Sequence, residues 1–264
     1  MIVVKEMTPV LFEVGSIKFY SFGSFIALGA LCAGLLLFRL AKSRRLKTHH
    51  LFDTVLYTIL AGLIGGRLVY YFLYANQFRS IWQVLYFWQG GLVALGGIAI
   101  GFLVFLYMIK KEKDPIWQVL DIASLTMLLG WGIGKYGCHL SGCAVGRSAE
   151  NIFTISGSYP IDLFSTIWAL MCFIVLLFIW LRNKLSDGVV FFLGLEAFFL
   201  GELLIKTLRV DFGEGMARSE AVVMLGLIIM LYVLFWKLHG PRFERGRFDL
   251  AIKNLVFKRW PKRK

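Results

Sequence analysis

The chain has 264 residues, of which 58% are hydrophobic and 17% charged, against roughly 45–50% and about 25% in an average soluble domain. With the apolar residues gathered in blocks, this excludes a disordered chain, a secreted disulfide scaffold and a water-soluble enzyme, and it identifies an integral membrane protein. Lys and Arg number 29 against 16 Asp and Glu, a net charge of +13; in a membrane chain that excess records topology and attraction to anionic lipid, not a nucleic-acid partner.

A spanning helix needs about 20 mostly apolar residues. Seven such blocks are read at about 16–38, 51–74, 88–109, 116–134, 160–181, 187–206 and 218–237. The expectation is an all-α, polytopic bundle of seven transmembrane helices over residues 1–238, with a basic tail over 239–264. The prolines at 9, 115, 160, 241 and 261 avoid the block interiors, as continuous helices in lipid require.

The first block is too long for a cleaved signal peptide, and Lys5, Glu6 and Glu13 make no basic leader ahead of it. The second contains Gly62-Leu63-Ile64-Gly65-Gly66-Arg67. Its glycines admit a neighbouring helix closely. Arg67 is either a forked grip for a phosphate or a side chain snorkelling to the headgroups. Ile81 to Phe87, with Trp82 and Tyr86, reads as an interfacial segment.

The third block opens on Trp88-Gln89-Gly90-Gly91 and continues through Gly96 and Gly97. The fourth carries Asp121 and runs into a second glycine series: Gly130, Gly132, Gly134, Gly137, Gly142 and Gly146, ending at Arg147. Helix packing through small residues accounts for the first three of these. The irregular remainder suits a loop dipping into the outer leaflet around a ligand. Cys138, His139 and Cys143 fall in that loop. They suggest a disulfide in an oxidising compartment. As a metal signature they are weak, because two Cys and one His close no ligand set; neither metal nor cofactor is expected. Cys32 and Cys172 read as packing residues.

Asp162 opens the fifth block. The sixth carries Glu196, Glu202 and Lys206, followed by Arg209. Positions 202, 206 and 209 share a face within about 60°, and Glu202 precedes Lys206 in the favourable order for an i,i+4 pair. Ionisable groups in a span cost roughly 2.5–3.5 kcal/mol on insertion scales, so each is expected to face the bundle interior with a partner. The tail alternates cations with Phe243, Phe248, Leu250, Phe257 and Trp260. It reads either as an amphipathic anchor on the inner leaflet or as a basic tail that fixes topology.

Cations follow the first, third, fifth and seventh blocks: Arg39 to Lys47, Lys110 to Lys113, Arg182 with Lys184, and the tail from Lys237. The positive-inside rule makes that side cytoplasmic and puts the N-terminus outside.

In the two glycine blocks the sequence resembles the prolipoprotein diacylglyceryl transferase family, from about Pro9 to the end of the seventh block. The matching features are Gly62 to Leu68, Trp88 to Leu92 followed by Gly96-Gly97, Asp121, and the frame Gly134-Lys135-Tyr136-Gly137-Cys138…Gly142-Cys143…Gly146. That frame is similar to a family signature usually begun Gly-Arg-x-Gly. Tyr159-Pro160-Ile161-Asp162-Leu163-Phe164 is similar to the family's His-Pro-x-Gln-Leu-Tyr, and Leu208 to Asp211 with Ser219-Glu220 echo its last outer loop.

The resemblance implies a seven-span protein of the bacterial cytoplasmic membrane, with its N-terminus outside. It implies transfer of a diacylglyceryl group from phosphatidylglycerol to the lipobox cysteine in the signal peptide of a prolipoprotein. Lys135, His139 and Glu202 would serve catalysis. Arg67, Gly90, Gly91, Gly96, Gly97, Gly134, Gly137, Cys138, Gly142, Cys143, Gly146, Lys206 and Arg209 would line the substrate site. The chain departs from the family where a catalytic His is Leu95, a Tyr of the first span is Phe22, the signature Arg is Lys135, and the signature Asn and Glu are Cys138 and Cys143. An Arg-x-x-x-Glu pair appears inverted as Glu202 and Lys206. The alternatives are an inactive relative that binds phospholipid or a membrane partner and, without internal repeats to favour it, a small-solute transporter.

Overall fold

The computed structural model describes residues 10–14, 17–46, 48–75, 93–149, 152, 154–155, 157–182, 185–210 and 225–234. Within these the chain forms two compact units, one of Met1–Cys32 with Ser124–Lys264, the other of Ala33–Ala123. The element order is β1 (Val10–Val14), β2 (Ile17–Tyr20), α1 (Ser21–Ser43), α2 (His49–Leu73), α3 (Ala94–Glu112), α4 (Ile116–Ser141), α5 (Ile161–Leu181) and α6 (Val189–Lys206), then a shorter apolar helix, α7, over Leu225–Leu234.

The 33–123 unit is built on a seam between α2 and α3 that follows from their glycines. A Cβ on Gly65 would stand 2.7 Å from the Ile100 Cβ and 2.9 Å from the Gly96 carbonyl oxygen, and one on Gly97 would stand 2.9 Å from the Gly62 carbonyl oxygen. Only backbone without side chains permits helices this close. The pairs 62 with 97 and 101, 65 with 96 and 100, and 69 with 96 make the two helices antiparallel. His50 and Glu112, 3.4 Å apart, close the other end. Away from the seam Phe72, Leu103 and Tyr107 are exposed, Phe72 to 76%. A surface of that kind belongs in lipid.

In the other unit the strands β1 and β2 pair antiparallel, with Phe12 and Phe19 stacked at 4.5 Å. They lead directly into α1, so the first apolar block begins as strand, and its helix starts only at Ser21. Helix α1 runs against α4, with Gly29 on Gly130, Ile26 on Gly134 and Phe25 on Gly137. Helix α5 runs antiparallel to α6, where the Trp168 indole sits over Gly201 and donates to the Ala197 carbonyl at 2.9 Å. The α4 and α6 helices are parallel, Gly194 meeting Ser124 and Phe198 meeting Trp131.

The expectation of a dipping loop is corrected here. Helix α4 continues to Ser141, so Gly134 and Gly137 are not in a dipping loop but are helical seats for α1, and Cys138 is on the helix with them. Small residues every three or four positions kept α4 helical where their density alone suggested a loop. The helix stops at Gly142, whose φ of 70° is the left-handed stop that glycine takes without strain.

Among the described residues four helices, α1, α2 (counted from His50), α4 and α5, are long and apolar enough to cross a membrane. Helix α6 has 18 residues and carries Glu196, Glu202 and Lys206, which sets it apart from these. The segment Ile81 to Phe87, Gly90 and Gly91, residues 218–224 and 235–237 of the seventh block, and the tail 239–264 lie outside the described residues.

Candidate active site

Charge gathers where the end of α4, the start of α5 and the end of α6 meet. Lys135 Nζ donates to Asp162 Oδ1 at 3.0 Å. Asp162 lies in the first turn of α5 and is buried. A carboxylate is favoured there by the helix N-terminal dipole. One turn before Lys135 on α4, the Trp131 indole Nε1 donates to Glu202 Oε1 at 2.9 Å, and its ring packs edge-on against Phe198 at 5.1 Å. The Lys135 ammonium stands 5.4 Å from the same ring's centroid, within cation–π range, and the Glu202 charge also acts on it. Glu202 is itself buried. One cation is thus bonded to one carboxylate, set over an indole face and within electrostatic reach of a second carboxylate.

Helical spacing explains the alignment on α4. Positions 131, 135 and 139 fall on one face at successive turns, so Trp131, Lys135 and His139 point the same way. His139 also lies 6.4 Å from the Tyr136 ring, centroid to centroid.

Beyond α4 a short cap ties three chain segments together. Gly146 bridges Arg209. The Arg147 N–H donates to the Leu208 carbonyl at 2.8 Å, and the Tyr159 N–H to the Arg147 carbonyl at 3.2 Å. Arg147 Nε donates to the Arg209 carbonyl at 3.0 Å. A side chain at 146 would collide with the Tyr159 carbonyl oxygen, so glycine is required by close approach. The resemblance put Gly146 and Arg209 in the substrate lining separately; the cap joins their backbones. Lys206 stands one turn beyond Glu202 on α6, half-buried.

All four cysteines are free. Cys138 and Cys143 have their thiols within hydrogen-bond reach of each other. Among the described residues no group of three or more His, Cys, Asp and Glu is placed to hold a metal.

In the 33–123 unit Arg67 is buried at 3% exposure, with its guanidinium 5.7 Å from the Tyr70 ring. It does not snorkel; α2 holds it inside the protein, one turn from the Gly62, Gly65, Gly96 and Gly97 seam. Sequence reasoning left Trp131 and Arg147 off the site and offered Asp162 only as a candidate that could equally be a capping or headgroup-level residue. Asp162 carried a signal, an acid opening an apolar block, but nothing along the chain tells which cation on α4 it meets. The Glu196 Oε1 atom is buried and has no hydrogen-bond partner among the described residues.

A family profile described as prolipoprotein diacylglyceryl transferase matches residues 9–237. Similar proteins include one from Clostridium tetani (strain Massachusetts / E88), 29% identical over 86% of this chain and 96% of its own. Another, from Nostoc sp. (strain PCC 7120 / SAG 25.82 / UTEX 2576), is 28% identical over 86% and 88%. A third, from Clostridium perfringens (strain 13 / Type A), is 28% identical over 92% and 99%. Each is named a phosphatidylglycerol--prolipoprotein diacylglyceryl transferase. With most of its length matched, from ahead of the hairpin to α7, the chain belongs to the prolipoprotein diacylglyceryl transferase family.

Proposed function

We propose that this chain moves a diacylglyceryl group from phosphatidylglycerol to the lipobox cysteine of a prolipoprotein signal peptide, as its relatives are named for doing. The reading includes seven spans, an outside N-terminus, a cytoplasmic C-terminus and residence in the bacterial cytoplasmic membrane. The strict alternation of direction among α1, α4, α5 and α6 supports this topology, as does the one-sided placement of loop cations. Residues 1–238 form the transferase domain, and 239–264 a basic tail on the anionic inner leaflet.

One observation carries the chemistry: Lys135 is bonded to Asp162 and stands over Trp131, whose indole is bonded to Glu202, at a single end of three helices. In the reaction the acceptor sulfur attacks the glyceryl carbon, the C–S bond forms, the C–O bond to phosphate breaks, and glycerol phosphate leaves. Lys135 has three N–H donors and gives one to Asp162, so the others meet the charge growing on the departing phosphate. Glu202 accepts the indole N–H through Oε1 and keeps lone pairs on Oε2 for the thiol proton. His139, on the Lys135 face of α4, is the second acceptor in reach of that face. Beside Lys135, Arg209 adds phosphate-directed charge, and Gly142 and Lys206 line the substrate; Arg67, Gly90 and Gly91 are the substrate-directed residues read from the sequence of the 33–123 unit.

The test is reconstitution in phosphatidylglycerol vesicles with a lipobox peptide, following the thioether product by mass. Lys135→Ala and Arg67→Ala are each expected to abolish transfer, and wild-type protein to rescue a transferase-depleted bacterium. Full activity in the Lys135 variant removes the phosphate assignment. Failure of rescue by a well-expressed wild-type protein favours the inactive relative.

A further inference from the structure

We infer that Cys138 and Cys143 form a dithiol–disulfide site, closed by exchange with an external disulfide and reopened by dithiols. The fold of the α4 terminus brings them together. With Gly142 left-handed, the Cys143 N–H donates to the Cys138 carbonyl at 3.1 Å. This is the six-to-one bond of a Schellman stop, in which the third residue before the cap and the second after it bring their side chains into contact. In most helices that contact is between apolar side chains. Here both positions are cysteine, and the thiols lie within hydrogen-bond reach. Disulfides require Cα atoms about 4.4–6.8 Å apart with converging Cβ vectors, and the six-to-one bond makes residues 138 and 143 neighbours across one helix stop.

The two thiols are unequal in access, and that orders the steps. Cys143 is exposed and Cys138 half-buried. The Cys143 thiolate attacks one sulfur of an external disulfide and releases the first thiol. Cys138 then gives up its proton and attacks the Cys143 sulfur, and the second external thiol leaves. Two protein thiols and one disulfide become one protein disulfide and two thiols, so the external disulfide takes both electrons. Cys32 and Cys172 are not near this turn, Cys32 being on α1 and Cys172 buried in α5, and both stay reduced.

The consequence falls on the site beside it. Cys138 lies within electrostatic reach of Lys135, one turn away on the same helix. If the proposed transferase activity holds, a centre that alkylates thiols carries two of its own, and the disulfide removes both as acceptors. The bond itself needs no such activity, so the two ideas fail separately.

The experiment treats the full chain in native membranes with oxidised glutathione, alkylates remaining thiols after denaturation, and maps peptides by mass. A Cys138–Cys143 linked peptide, lighter by two hydrogens and lost on dithiothreitol treatment, is expected, with Cys32 and Cys172 fully alkylated. Cys138→Ser should stall at a glutathione adduct on Cys143. Wild-type protein that keeps both thiols alkylatable, or that stalls at the same adduct with Cys138 free, overturns the inference.

Discussion

Lys135 and Asp162, joined by a 3.0 Å bond between α4 and α5, occupy two positions at which the chain departs from the family's usual residues. Where the family pattern has Arg, this chain has Lys; where it has Gln, this chain has Asp. By the sequence resemblance, this chain places an ammonium and a carboxylate in contact where the family motifs are written with Arg and Gln. Lysine loses the fork, and the carboxylate supplies a fixed partner that orients what remains.

Removing one member of a buried pair strands the other and costs about 3–5 kcal/mol. Lys135→Ala and Asp162→Ala should therefore each lower unfolding stability in detergent towards the lower part of that range, since Lys135 remains 21% exposed. The double variant Lys135→Met/Asp162→Leu should recover most of the stability and none of the transfer. Thermal unfolding and vesicle transfer, measured on the same preparations, separate the two effects.

For Trp131 and Glu202 the discriminating change is Glu202→Gln. The glutamine carbonyl still accepts the indole N–H, so stability should stay within about 1 kcal/mol. The proton-accepting capacity is gone, and transfer should fall by about 10²–10⁴. Trp131→Phe makes the opposite cut: it leaves the carboxylate but removes its donor, and should cost about 1–3 kcal/mol. A His139→Gln variant with unchanged rate would leave Glu202 as the acceptor.

Glycine substitutions should sort by what surrounds them. Gly65→Ala puts a methyl group 2.7 Å from the Ile100 Cβ and 2.9 Å from a backbone oxygen, so α2 and α3 must part, and folded yield should collapse. Gly34→Ala meets nothing within 4 Å and gains helix propensity of about 0.8–1.0 kcal/mol. Its yield should equal or exceed wild type, by size-exclusion profile in detergent.

At Gly146 a methyl group meets the Tyr159 carbonyl, so Gly146→Ala should break the bridge to Arg209 while the helices remain. The expected signature is a several-fold rise in KM for phosphatidylglycerol with little change in melting temperature. An unchanged KM would detach the cap from lipid binding.

Hydrophobic blocks read from the sequence located α2, α5 and α6 to within about two residues and α1, α3 and α4 to within about seven, because a bilayer span demands an apolar length that is visible in one dimension. The sequence also showed that α2 admits a close neighbour through its glycines, and only the structure made that neighbour α3. It did not show that Ile17 to Tyr20 would pair as strand, nor that α4 would run on to Ser141: strand pairing needs a partner, and glycines at helical spacing serve packing as readily as loops. The order of charges along the chain named Lys135 and Glu202, and only the tertiary structure decided that Asp162 and Trp131 complete their setting. The physical reason is that an ion pair is selected by distance in space. Positions 135, 162 and 202 are brought together by the antiparallel packing of α5 against α4 and the parallel packing of α6, which no local pattern encodes.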